Sequence, residues 1–219
     1  MNTELIQAYS GFSAETKLYS QGAQIGQVFY PNNFVFGTPF YLTAGKYQYA
    51  FGKRSVEVGF PFKSVDGKPA SHIQDIYYDQ HKYGHILRIN EDLGFLHTYT
   101  YIQLETQASF YSMYEIGLGK AGNVYPIYCN GNLVAEIWKS CKVLNNLDRY
   151  TLIALTPADM LHAYMLAAYL ESNDYANRGQ VANKSTDICV YKTTNKHLLS
   201  KYQPAFHEHM GLDISKFAI

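Results

Sequence analysis

Residues 156–172 read TPADMLHAYMLAAYLES, and the fold turns on what surrounds them. Thr156 is placed to cap a helix, Pro157 suits the first helical position, and Asp159 sits where its carboxylate meets the cap and the positive end of the helix dipole. Leu155 and Met160 have the spacing of a hydrophobic staple. From Met160 to Leu170 nearly every residue is Leu, Met, Ala or Tyr, with His162 as the interruption. Projected at about 100° per residue, the run has no wide polar stripe, so it predicts a helix enclosed on all sides. Met160, Leu161, Tyr164, Met165, Leu166, Tyr169 and Leu170 are its expected core residues. The small Ala158, Ala163, Ala167 and Ala168 let flanking strands approach. The run is shorter than the about 20 apolar residues a membrane span requires. Glu171, Ser172, Asn173 and Asp174 read as a polar exit.

Outward from this helix the pattern changes. Upstream lie about ten short runs with β character, at residues 34–42, 47–51, 55–62, 73–78, 85–89, 96–105, 109–117, 124–129, 133–139 and 150–155. Turn residues separate them. Asp66-Gly67 marks one reversal, and Asn130-Gly131 is the preferred pair for a type I′ hairpin. Asn145 to Asp148 marks another. Many short strands at close spacing predict a closed barrel or sandwich rather than a βαβ sheet. Residues 1–33 read as a lead-in, with a helical turn near Leu5 and Ile6. Residues 34–174 read as the domain, and 175–219 as an extension. In that extension 187–192 has strand character and 196–202 helical character, and its apolar end predicts docking on the domain or a partner.

Composition narrows the function classes. Lys plus Arg and Asp plus Glu number 18 each, so no overall field favours nucleic acid or an acidic membrane. Charged residues make up 16% of the chain, too few for a disordered one. The 21 tyrosines suit strands and half-buried positions, and their flat faces suit stacking on sugars. Cys129, Cys141 and Cys189 are odd in number and lack metal spacing, as expected of reduced thiols. The first residues lack a secretory pattern, and a cytoplasmic location is expected.

The stretches 122–128 (GNVYPIY), 130–139 (NGNLVAEIWK) and 146–152 (NLDRYTL), followed by the apolar helix, resemble the tubby C-terminal-like superfamily. That group includes tubby, the plant LURP-one-related proteins, phospholipid scramblases and uncharacterised bacterial members. Gly131 to Ile137 matches its "G-x-x-I/V-A-x-I" strand, and Asp148 to Leu152 its "D-x-Y-x-L" strand. The match covers 122–172, about a quarter of the chain. The resemblance implies a mainly β (α+β) fold: a closed antiparallel barrel of about twelve strands around a central hydrophobic helix, here with a C-terminal extension. The extension departs from tubby, whose central helix lies near the chain end.

Candidate chemistry is sparse. Asp75, Asp79, His81 and His85 form the densest titratable cluster. On a helix they would give paired metal ligands, but the local pattern reads as a strand entering a loop. His207 and His209 would share one face of a strand. His162 reads as a satisfied core histidine. Lys139 and Lys142 flank Cys141 without a histidine to activate it. No phosphate-binding loop, nucleophile elbow, zinc-protease or dinucleotide motif occurs, and no cofactor is called for. Lys53 and Arg54 are candidates for a lipid headgroup, because tubby binds phosphoinositides through basic wall residues, though a cation pair falls short of a polybasic cluster. The leading expectation is a non-catalytic binding barrel acting on a protein or a membrane surface. The extension offers a route to a homodimer. The alternative is a metal-dependent enzyme, or a small-ligand or carbohydrate binder, using the 75–85 loop.

Overall fold

Alternating inward apolar and outward polar residues, punctuated by left-handed turns, roll the chain into an antiparallel β-barrel. The computed structural model describes residues 1–9, 15–31, 39–54, 62–64, 66–92, 98–139, 142–143, 148–175, 188–189 and 196–217. The chain opens with β1 (Asn2–Tyr9), β2 (Glu15–Ser20), β3 (Ala23–Phe29), β4 (Phe40–Ala44) and β5 (Tyr47–Lys53). A short β6 (Phe62–Lys63) precedes β7 (Pro69–Tyr78), β8 (His81–Asp92), β9 (Thr98–Thr106) and β10 (Phe110–Tyr114). Next come β11 (Ile116–Gly117), β12 (Asn123–Cys129), β13 (Asn132–Lys139), β14 (Lys142–Val143) and β15 (Arg149–Ala154). The helix α1 (Pro157–Leu170) runs into a π-helical turn at Glu171–Tyr175. Beyond β16 (Ile188–Cys189) lie the short α2 (Lys196–Leu199) and α3 (Pro204–His209).

Twelve strands close the barrel in the order β10-β9-β8-β7-β5-β4-β3-β2-β1-β15-β13-β12, and β12 pairs back onto β10 through Ser112↔Tyr128. Closure removes the unpaired edges that an open sheet exposes. The β12–β13 hairpin turns at Asn130 and Gly131, whose φ angles of 49° and 86° are those of a type I′ turn. At Gly67 (φ 80°) the chain reverses and its N–H bonds the Ser64 carbonyl at 2.9 Å.

The barrel's axis is α1. Thr156 Oγ1 accepts from the Asp159 N–H at 3.2 Å and donates to the Asp159 carboxylate at 2.6 Å, so the expected cap forms. Met160, Tyr164, Met165, Leu166, Tyr169 and Leu170 are buried against Leu5, Leu18, Phe40, Phe51, Ile86, Leu104, Ile127 and Ile137 of the surrounding strands, with Leu161 half-buried. The Tyr164 hydroxyl, 2.9 Å from Thr3 Oγ1, ties the helix to β1.

Several expectations are corrected. Residues 1–33 are no lead-in: β1, β2 and β3 are full barrel strands, and Leu5 lies in a strand rather than a helical turn. Barrel strands therefore begin at Asn2 and not at residue 34. Glu171 and Ser172 are buried, not a solvated exit. Leu155, proposed as a staple, is half exposed. His207 and His209 lie on α3, a helix with Pro204 at its start, so His207 is buried while His209 faces solvent. The extension packs on the outer wall, where Leu198, Tyr202, Leu212 and Ile214 cover Ile116, Val124 and Trp138. Most of the strand expected at 55–62, part of that at 34–42, Cys141, the reversal at 145–147 and most of the strand at 187–192 lie outside the described residues.

Candidate functional site

Because α1 fills the lumen, cavities are left at the barrel's ends and exposed side-chain surfaces on its wall. Register defines the first of these surfaces. Phe29 pairs with Tyr41, Tyr41 with Ala50, and Ala50 with Tyr77, so one row crosses β3, β4, β5 and β7. The flanking Val28, Leu42, Phe51 and Ile76 are buried inside, which turns the row outward. Phe29, Tyr41 and Tyr77 are 42%, 37% and 38% exposed, enough for their rings to meet another molecule. Glu15 continues the row beside Phe29, and Lys82 lies beside Tyr77.

Next to that row lies a polar belt. Asp75 and His85 are cross-strand partners, and His85 in turn faces Glu105. Arg54 engages both carboxylate oxygens of Asp75, with Nε at 2.9 Å, and Lys82 Nζ approaches at 2.9 Å. Burial pushes the Asp75 carboxyl up, but Arg54 and Lys82 together outweigh it and hold the group below the usual range. His85 Nε2 lies 2.7 Å from Glu105, which also accepts from Gln103 at 3.1 Å. The four residues singled out as metal ligands are thus split: Asp75 is taken up by Arg54 and Lys82, His85 lies against Glu105, Asp79 sits in the β7–β8 turn at φ 48°, and His81 opens β8. Among the described residues no three His, Cys, Asp or Glu side chains are grouped to hold a metal. Arg54 is bound to Asp75 rather than free for a headgroup, and the side chain of Lys53 lies outside the description.

At the end of the barrel near the start of α1, a cavity of about 370 Å³ is bounded by Tyr78, Tyr83, Thr106, Gln107 and His162, with His81 and Lys82 at its rim. His162 is buried, its Nε2 2.7 Å from the Tyr83 hydroxyl and its ring centroid 4.4 Å from that of Tyr111. Burial lowers its basicity, against the opposing pull of the Ala158 carbonyl and Asp159. This is the core histidine the sequence predicts, but one that also floors a cavity. Burial pushes the Tyr49 phenol, beside Tyr83, up to about 12.

At the other end, a cavity of about 290 Å³ involves Arg88, Glu115, Tyr125 and Asn173. Behind it Lys139 and Asp148 pair at 2.5 Å, and the Tyr150 hydroxyl bonds Glu171. Burial first, and then Asp148, pushes the Glu171 carboxyl up to about 8. These groups are nearly inaccessible and fasten the end of α1 to β13 and β15. Outside the barrel, the Trp138 indole N–H donates to Glu136 at 3.0 Å, and His207 Nδ1 stands 3.7 Å from the same carboxylate oxygen. Burial pushes the Glu136 carboxyl up to about 7. The proximity of Glu136 and His207 is not visible from sequence, since they lie 71 residues apart and meet only through the fold.

No described helix is long and apolar enough to cross a membrane. No family model, curated protein or solved structure matches the chain.

Proposed function

We propose that this chain is a non-catalytic binding barrel of the tubby-like kind, which holds a protein partner against its outer wall. The observation that supports it most is the in-register row of exposed Phe29, Tyr41 and Tyr77 on β3, β4 and β7. Scattered exposed apolar residues are ordinary, but aromatic residues aligned in one cross-strand row, interrupted here only by Ala50, have the composition of an interface centre. The filled lumen adds support, because it leaves no deep central pocket of the sort enzymes use. The membrane version of this reading has less behind it, since the Arg54 charge is spent on Asp75.

The test compares wild type with a Tyr41→Ala/Tyr77→Ala variant of unchanged thermal stability. A protein retained at one-to-one stoichiometry by the wild type should lose about 30-fold in affinity, the effect of removing an aromatic hot spot of about 2 kcal/mol. Equal retention by both would overturn the assignment of the wall. Sedimentation with phosphoinositide vesicles but with no protein would replace the partner by a membrane. Recovery of a bound molecule in chemically altered form, or a stoichiometric metal ion, would refute the non-catalytic reading.

A further inference from the structure

The cavity beside His162 has features that a gap in packing lacks. Its volume of about 370 Å³ lies at the small end of ligand sites, which are concave, mostly apolar and supplied with a few placed polar groups. Aromatic rings lead into it in succession: Tyr47 to Tyr78 (6.0 Å between centroids), Tyr78 to Tyr49 (5.2 Å), Tyr49 to Tyr83 (5.3 Å), Tyr83 to His162 (6.1 Å) and His162 to Tyr111 (4.4 Å). Ring faces and edges in this arrangement favour another flat ring, offset-stacked or edge-on.

The polar chemistry narrows the ligand. Tyr83 lies against Nε2 of His162. The Ala158 carbonyl, one turn back on α1, favours a proton on the imidazole, although Nδ1 completes no full hydrogen bond. A phenol is a stronger donor than acceptor and a neutral imidazole nitrogen a strong acceptor, so at 2.7 Å the Tyr83 hydroxyl is assigned as donor to Nε2, which leaves the ring's proton on Nδ1. With its hydroxyl hydrogen engaged by His162, the Tyr83 oxygen has only lone pairs left to offer, so whatever meets it must donate. Lys82 at the rim disfavours a cation in the aromatic enclosure, and its ammonium is drawn to Asp75 at 2.9 Å rather than offered to an anion inside.

We propose that this mouth of the barrel binds a small, uncharged aromatic molecule carrying a hydrogen-bond donor on its ring edge, of the indole or phenol type. The ring stacks among Tyr78, Tyr83 and His162, and its N–H or O–H donates to the Tyr83 oxygen. The site is separate from the outer aromatic row and does not rest on it.

The experiment titrates the intact protein with indole, followed by amide chemical shifts and calorimetry. Toluene serves as a ring without a donor, methyl glucoside as a sugar, and tetramethylammonium as a cation. Indole should saturate, with shifts centred on Thr106 to Ser109 and His162. Tyr83→Phe should weaken indole about three- to tenfold, the effect of one lost hydrogen bond, and leave toluene unchanged. Ala108→Trp, at an exposed rim position, should fill the cavity and abolish indole binding without altering the fold. Tyr41→Ala/Tyr77→Ala should bind indole as wild type does. Failure to saturate at millimolar indole, equal affinity for indole and toluene, tighter binding of the glucoside or tetramethylammonium, or insensitivity to Ala108→Trp would each overturn the proposal.

Discussion

Replacing Glu136 by Gln should make the protein more stable at neutral pH, and by an amount that depends on pH. The carboxyl is fully buried on the outer face of β13, under the extension. The groups facing it are the Trp138 indole, the His207 imidazole and the phenols of Tyr128 and Tyr202. None of them is a cation at neutral pH, since burial also lowers the basicity of His207. Glu136 thus titrates at about 7 in the folded protein against 4.5 for the ordinary group. Below about pH 4.5 both states hold the proton, and its stabilising effect is fully present. Between the two values the unfolded chain has released a proton that the fold retains, so stability falls by about 1.4 kcal/mol per pH unit. Above about 7 that contribution is gone, a loss on the order of 3 kcal/mol. A Gln amide keeps an acceptor for the Trp138 N–H and has no proton to lose. Urea unfolding from pH 4.5 to 8, read by the fluorescence of Trp138, the only tryptophan, measures both proteins at the affected site. The difference in stability should grow with pH and level off above 7. A flat difference would refute the reasoning, and would mean that His207 takes up the proton Glu136 releases.

Other perturbations test the barrel itself. A methyl group on Gly84 would stand 2.3 Å from the Glu105 carbonyl oxygen of the next strand, whereas one on Gly52 meets nothing within 4 Å. Gly84→Ala should therefore cost about 1–3 kcal/mol and Gly52→Ala nothing, as thermal denaturation would show. Leu166→Ala, at a fully buried position on the barrel axis, should cost about 2–5 kcal/mol in chemical denaturation. Thr156→Ala, which removes the acceptor for the Asp159 N–H, should cost about 1 kcal/mol in the same assay.

The barrel's axis was legible because a helix lacking a polar face admits few surroundings, and the final hairpin because Asn130-Gly131 adopts positive φ readily. The first strands were not. Their inward positions include Thr3 and Thr16, both buried, so the alternation that marks a strand reads as polar. Glu171 read as an exit because burial of a carboxylate follows from a partner, Tyr150, that the linear sequence does not place beside it. The same blindness covers the sites. Asp75 and His85 read as belonging to a strand entering a loop; register instead makes them cross-strand partners, and Arg54, Lys82 and Glu105 occupy them. The row of Phe29, Tyr41 and Tyr77 draws on three strands whose offsets depend on turns. Pro204, at the start of α3, was the one local signal that His207 and His209 lie on a helix.

The placement of β1 between β2 and β15 has a cost in time. Its second neighbour is drawn from residues 149–153, such as Ile153 opposite Asn2. At about 5–20 residues per second, a ribosome takes on the order of ten to thirty seconds to supply that partner. Throughout that interval any sheet begun by β1, β2 and β3 leaves the β15-facing edge of β1 unpaired, and the helix that fills the barrel has not been made. Non-local pairing of this kind gives a high contact order and slow folding. An edge left unpaired for that long is one that neighbouring chains can extend, a hazard that closure of the finished barrel removes.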